Sequence, residues 1–378
     1  MKQRLVFVDL LRGWAAIVMI EVHVFNGFLL PAIKEERWFG LLNYVNGLVA
    51  PAFLFISGFV FVLTSERKLE EYRTFGSLFW KQLQRIALVW TIGYGLHLPF
   101  FSFTRILRET DERGWLKFYQ ADVLHCIALG LTILFILRII VLEARRYQNV
   151  LAWISAALLL VAPIVWDIDF NRWITAPFGA YLNGQHVSQF PVFNWLAFLT
   201  LGGISAMRFG EARNSGREFD FFKSLTYLGG TLIVGGILIR ELPFRFPLAS
   251  NAIRVNPFFF AERTGIIFVL LALCWWYASA RKTERSFVID ASKESLMVYA
   301  GHLLVIFGQF SGETSLWSLY GGQLNLGGAS IATTLLIAVF IVAAKLWNVF
   351  KSKHPEESKM ASYTFFTVLV VLFFVRSH

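Results

Sequence analysis

Apolar residues run along this chain in stretches of about 20, separated by short charged segments. The pattern predicts eleven helices, over 14–32, 47–64, 83–101, 122–142, 149–166, 190–208, 222–240, 258–280, 292–310, 328–349 and 361–376. The eleventh is short for a span, and a position along the membrane surface is its alternative. The fold class that follows is all-α: a polytopic integral membrane bundle of 10–11 transmembrane helices, with residues 1–378 as a single membrane domain.

Loop charges predict the orientation. With the N-terminus cytoplasmic, the inner segments hold about twice the lysine and arginine of the outer ones, as the positive-inside rule requires. Lys2, Lys282 and Arg285 count among the inner group, and Arg245 and Arg254 among the outer. The first apolar stretch follows Arg12 directly and lacks a small-residue cleavage site, so it reads as a retained anchor. The longest loops, 102–121 and 167–189, fall outside, where either could cap a site.

Composition agrees with this picture: 56% of residues are hydrophobic and only 16% charged. The net charge of +10 would suggest nucleic acid in a soluble protein. Here the cations sit in loops between spans, so orientation in the bilayer explains them and no nucleic-acid partner is implied. Cys126 and Cys274 lie in apolar runs and read as packing residues. No metal is expected, since neither an HExxH motif nor paired-cysteine spacing is present. Glycine pairs at 202–203, 229–230 and 235–236 read as close-packing points between helices.

The chemistry lies in ionisable residues inside the spans, which are costly in hydrocarbon and therefore functional candidates. Glu21 and His23 sit within the first stretch. Arg12 precedes His23 by three helical turns, on the same face and roughly 16 Å away along the axis. Asp122 and His125 open the fourth stretch, Glu262 and Arg263 lie early in the eighth, and Tyr299 and His302 share a face of the ninth. By the alternation of spans, all of these fall in the middle or outer half, whereas Arg12, Lys81, Arg85 and Arg138 fall at the inner end. An anionic ligand at the inner end and acid–base chemistry further out would use this segregation. Each group also has a structural alternative: a helix-start pair for Asp122–His125, a packing ion pair for Glu262–Arg263, snorkelling anchors for Lys81 and Arg85, and a packing histidine at 302.

Several segments resemble the transmembrane acyltransferases, most closely bacterial relatives of the heparan-alpha-glucosaminide N-acetyltransferase catalytic domain, with features of the acyltransferase 3 group. They are Asp9-Leu-Leu-Arg12-Gly13, Pro51-Ala-Phe-Leu-Phe-Ile-Ser57-Gly58, Asp122-Val-Leu-His125, Phe190-Pro191-Val-Phe193-Asn194-Trp195 and Ser295-Leu-Met-Val-Tyr299-Ala-Gly-His302. The resemblance covers residues 5–310 as an acyltransferase-like core and leaves 311–378 as additional C-terminal helices. It implies an acyltransferase taking an acyl group, usually acetyl, from cytosolic acetyl-CoA to a sugar hydroxyl or amine beyond the membrane. His23 then becomes the general base, with Glu21, Asp122, His125 and His302 as further catalytic candidates. Arg12, Lys81 and Arg85 bind the donor; Asn194, Glu262, Arg263 and Tyr299 serve the oxyanion or the acceptor; Asp9 and Gly13 shape the entrance of the first helix.

The heparan enzyme uses a histidine in its first outer loop, whereas this chain has none between Asn26 and Tyr44. The implied partners are the lipid bilayer, acyl-CoA and a glycan or sugar acceptor, with a second copy of the chain as a candidate. The implied location is a bacterial cytoplasmic membrane. Two other readings stand beside this one. A proton-coupled transporter of a small anionic solute would use the same buried groups as a relay, although no inverted repeat is evident. A non-catalytic scaffold would explain the missing loop histidine.

Overall fold

The structure is a computed structural model that describes residues 4–185, 188–241, 255–281, 286–308 and 314–376. Lys2, Arg245, Arg254, Lys282 and Arg285 lie outside these residues. Among the described residues the chain is helical apart from turns, caps and an isolated bridge between Leu29 and Leu324. Each expected stretch holds a helix: α1 (Val6–Phe28), α2 (Val49–Ser65), α3 (Ser77–Leu96), α4 (Val123–Ile140), α5 (Ala144–Trp166) and α6 (Val192–Asn214). They continue with α7 (Glu218–Glu241), α8 (Pro257–Arg281), α9 (Ser295–Phe307), α10 (Leu326–Lys353) and α11 (Pro355–Val375).

Eight helices among the described residues are long and apolar enough to cross a membrane, α11 included. The exceptions are α1, α3 and α9, and all three hold candidate site residues. Asp9, Arg12 and Glu21 interrupt α1, and Lys81 and Arg85 interrupt α3. At 13 residues, α9 rises only about 20 Å, short of a bilayer core of about 30 Å. The single helix expected over 292–310 is broken: Phe287–Lys293 ends and α9 begins across Glu294, whose backbone leaves the helical region at φ −113°, ψ 28°. Residues 309 and 310 lie outside the described part.

Two compact units emerge. The first holds residues 1–49, 98–115 and 277–378; the second holds 50–97 and 116–276. In the first unit α1 is the central element, packed by Phe287–Lys293, α9 and α10. Gly13 lets α1 approach closely, because a Cβ there would stand 2.0 Å from the Val288 carbonyl oxygen. Asp9 accepts from Arg4 and from Ser292 Oγ (3.2 Å), which ties the start of α1 to the segment before α9. Lys351 of α10 meets the buried carboxylate of Glu294 at the helix break. At the other end, Leu30 N donates to Leu324 O and Leu324 N to Phe28 O, so the α1 exit is pinned to the α10 entry. The α11 helix docks on Phe103–Glu109 through Phe373 and Phe374 against Phe103.

In the second unit α2 and α6 cross at backbone contact. A Cβ at Gly58 would stand 1.9 Å from the Leu199 carbonyl oxygen, and one at Gly202 would stand 2.0 Å from that of Phe55. The glycine pairs read from the sequence divide. Gly202, Gly203, Gly229 and Gly236 are closely packed, whereas Gly230 and Gly235 have nothing within 4 Å of a built Cβ. A helix pair needs one small face, so only one member of each of those later pairs meets a neighbour. Arg138 is buried and bonds Glu66, Val141 O and Leu142 O, which makes it a staple at the end of α4.

The close crossing generates a prediction. Gly202→Ala forces α2 and α6 apart and costs about 1–3 kcal/mol of overpacking. The variant in detergent should melt several degrees below wild type, while Gly230→Ala should melt with it. Equal melting of all three would remove the crossing as a packing constraint.

Candidate functional site

Each unit carries a polar cluster of its own. In the first, α1 presents His23 to His302 of α9, with His302 Nε2 3.0 Å from His23 Nδ1 and ring centroids 5.0 Å apart. The protons can be placed from the partners. His302 Nδ1 lies 2.7 Å from the Val298 carbonyl oxygen. A carbonyl only accepts, so His302 carries its proton on Nδ1 and its Nε2 is an acceptor. His23 Nδ1 lies 2.9 Å from Met19 O, so it too carries a proton, shared between that carbonyl and His302 Nε2. The lone pair of His23 is therefore on Nε2, the nitrogen turned away from the pair. Tyr299 stands edge-on to His302 and Phe307 edge-on to His23. His302 is fully buried and His23 half-buried.

Glu21 is turned elsewhere, as two residues of helix require. It accepts from Asn46 Nδ2 at 3.3 Å, where Arg37–Asn46 ends, and does not belong to the imidazole pair. Arg12 is half-buried near the start of α1, between the Asp9 anchor and Gly13.

The second cluster gathers where α3 ends and α4 begins. Asp122 is the N-cap of α4, accepting from Leu124 N, while His125 Nδ1 faces the Asp122 N–H at 3.4 Å in a capping box. The pair at 122 and 125 is thus a helix cap as well as a candidate site. The sequence reading missed His97, which caps α3 and places Nε2 3.2 Å from Asp122 Oδ2. Gln120 lies 3.1 Å from its Nδ1. Trp90, Tyr94 and Tyr181 surround His125, and the two tyrosine hydroxyls bond at 2.8 Å. The loop before α4 is held by Ala121, whose N–H donates to Ser188 Oγ and whose carbonyl accepts from Gln189 and Phe190.

Elsewhere in the second unit, Lys81 and Arg85 are exposed and one turn apart on α3. Asn194 is buried at a kink near the start of α6, with φ +79°, a conformation that costs a non-glycine residue roughly 1–3 kcal/mol. Glu262 and Arg263 are buried on α8, with the guanidinium 5.1 Å over the Phe259 ring.

Residues 4–235 match the family model described as heparan-alpha-glucosaminide N-acetyltransferase, catalytic. The match takes in Arg12, His23, Lys81, Arg85, His97, Asp122, His125 and Asn194 and stops before Glu262, Tyr299 and His302. No curated protein matches the chain.

The tautomers are directly measurable. In protein labelled with 15N-histidine, both His23 and His302 should show protonated Nδ1 and unprotonated Nε2 at neutral pH. Assignment uses the His23→Ala and His302→Ala variants. An Nε2-protonated signal for either residue would contradict the hydrogen-bond geometry.

Proposed function

Because the chain belongs to the heparan-alpha-glucosaminide N-acetyltransferase catalytic family, we propose that it transfers an acyl group, acetyl first, from acyl-CoA to a sugar hydroxyl or amine. It is an integral membrane acetyltransferase-type protein. In our reading the N-terminus is cytoplasmic, the donor arrives from that side, and the acceptor lies beyond the membrane. A bacterial cytoplasmic membrane is the location we infer.

One observation carries the reading: Met19 O and His302 Nε2 both hold the Nδ1 proton of His23, which leaves Nε2 basic. Catalytic triads use the same logic, where an acceptor on one imidazole nitrogen prepares the other as general base. Here the acceptors are a carbonyl and a neutral imidazole. The residue sits on the first helix, and no loop histidine between Asn26 and Tyr44 competes for the role.

The chemistry balances as follows. His23 Nε2 takes the proton of the acceptor O–H or N–H while that atom attacks the thioester carbonyl. The tetrahedral oxyanion collapses, the C–S bond breaks, and the departing thiolate recovers the proton from Nε2. Tyr299, beside His302, is the oxyanion donor we assign in the same unit. Arg12 offers that unit a cation for the donor phosphates. In the second unit, Lys81 and Arg85 are the further donor candidates, and Asn194, Glu262 and Arg263 the acceptor candidates.

The test is release of CoA thiol from acetyl-CoA by purified protein, with a panel of amino sugars and polyols as acceptors. His23→Ala should fold and bind acetyl-CoA yet lose about 10²–10⁴ in turnover. His302→Ala should be impaired less, since Met19 O still orients His23. Wild-type turnover by His23→Ala would refute the assignment of the base.

A further inference from the structure

We propose that His97, Asp122 and His125 form a binding site for a divalent cation of borderline softness, with zinc as the first candidate. The inference stands apart from acyl transfer and uses no residue of the His23–His302 pair. One ligand atom from each of the three residues lies within 4.8 Å of the others. His97 Nε2 is 3.2 Å from Asp122 Oδ2, and His125 Nδ1 is 3.7 Å from Asp122 Oδ1. Ligands bound at about 2.0–2.2 Å in a tetrahedron stand roughly 3.2–3.6 Å from one another. The two imidazoles thus face the two oxygens of one carboxylate, and a cation would draw the three groups in from their 4.8 Å spread to this spacing.

The donor set selects the metal class. Two imidazoles and one carboxylate suit zinc and its first-row neighbours, whereas magnesium and calcium prefer oxygen alone. Three protein ligands leave a fourth position open to water or another oxygen ligand. Sequence motifs of zinc sites are absent because the ligands come from a helix C-cap, a helix N-cap and the first turn of that helix.

Two further observations point to a ligand. His125 is fully buried, and the nitrogen it turns toward Asp122 is Nδ1. Its Nδ1 meets the Asp122 N–H at 3.4 Å and Asp122 Oδ1 at 3.7 Å, both long, so protein alone holds this nitrogen weakly. A capping role explains Asp122 and His125, but it does not explain why His97 is aimed at the same carboxylate. His97 also has the partner that an oriented metal ligand needs. When Nε2 is bound, the proton moves to Nδ1, and Gln120, turned about its amide, accepts it. Trp90, Tyr94 and Tyr181 close the wall behind His125.

The experiment uses full-length protein purified without a polyhistidine tag, stripped with chelator and titrated with Zn²⁺ and Co²⁺. We expect one zinc per chain by elemental analysis and visible Co²⁺ ligand-field bands between about 500 and 650 nm, typical of four-coordinate sites with imidazole and carboxylate. His97→Gln and His125→Gln should lose both signals, and His302→Ala should keep them. Gln120→Ala, which leaves every ligand and the helix cap in place, should weaken zinc binding about 10–100-fold. Thermal melts establish that each variant is folded. Absence of stoichiometric zinc in the wild type overturns the proposal. So does zinc binding that survives in folded His97→Gln and His125→Gln, or binding unchanged by Gln120→Ala.

Discussion

Inside a bilayer there is no water to take a proton or fill a donor's coordination, so each buried N–H must find an acceptor within the protein. That constraint sets the chemistry of α1. The helix offers one ready acceptor, the carbonyl one turn back, and both His23 and His302 take it. Once each Nδ1 proton is committed to its own helix, the remaining nitrogens have no freedom of role. His302 Nε2 is left to accept, and the lone pair of His23 falls on Nε2. Backbone geometry, with no carboxylate involved, therefore sets the tautomer of both rings.

The same constraint governs the departures from regular helix. The chain breaks at Glu294 where a buried carboxylate meets Lys351, and it kinks at Asn194. Such irregular backbone is tolerated in hydrocarbon only where protein surrounds it, and both residues are buried. Close helix crossings at Gly13, Gly58 and Gly202 are the complementary device. They bring backbones into contact, and beside Gly13 this lets Ser292 reach Asp9.

Much of this was legible in the chain because hydropathy alone marks a span. All eleven apolar stretches contain helices, and the polar interruptions of α1 and α3 and the shortness of α9 set those three apart from the helices long and apolar enough to span. The face shared by Arg12 and His23 followed from helical period. The pairing of His23 with His302 was not legible, since the two are 279 residues apart and neither position announces the other. His97 was missed for a different reason. The third helix was expected over 83–101, which makes residue 97 an interior position, but the helix runs Ser77–Leu96 and leaves His97 as a cap. A shift of a few residues at a helix end changes an interior position into a helix cap that faces Asp122. The signal that could have found it was a lone histidine before Pro99, a residue that tends to end helices.

The last helix carries a consequence of another kind. Almost none of the apolar window of α11 is covered by the rest of the chain; the helix meets α10 near its start, where Ser358 is buried, and at its other end Phe373 and Phe374 meet Phe103 and Ser102 Oγ donates to the Arg376 carbonyl. For most of its length the helix is therefore selected by solubility in lipid, not by fit to a neighbour. Any apolar residue serves at such a position. Sequence drift along Met360–Leu372 should be fast and nearly silent, while the few residues at the anchored ends are held fixed by shape.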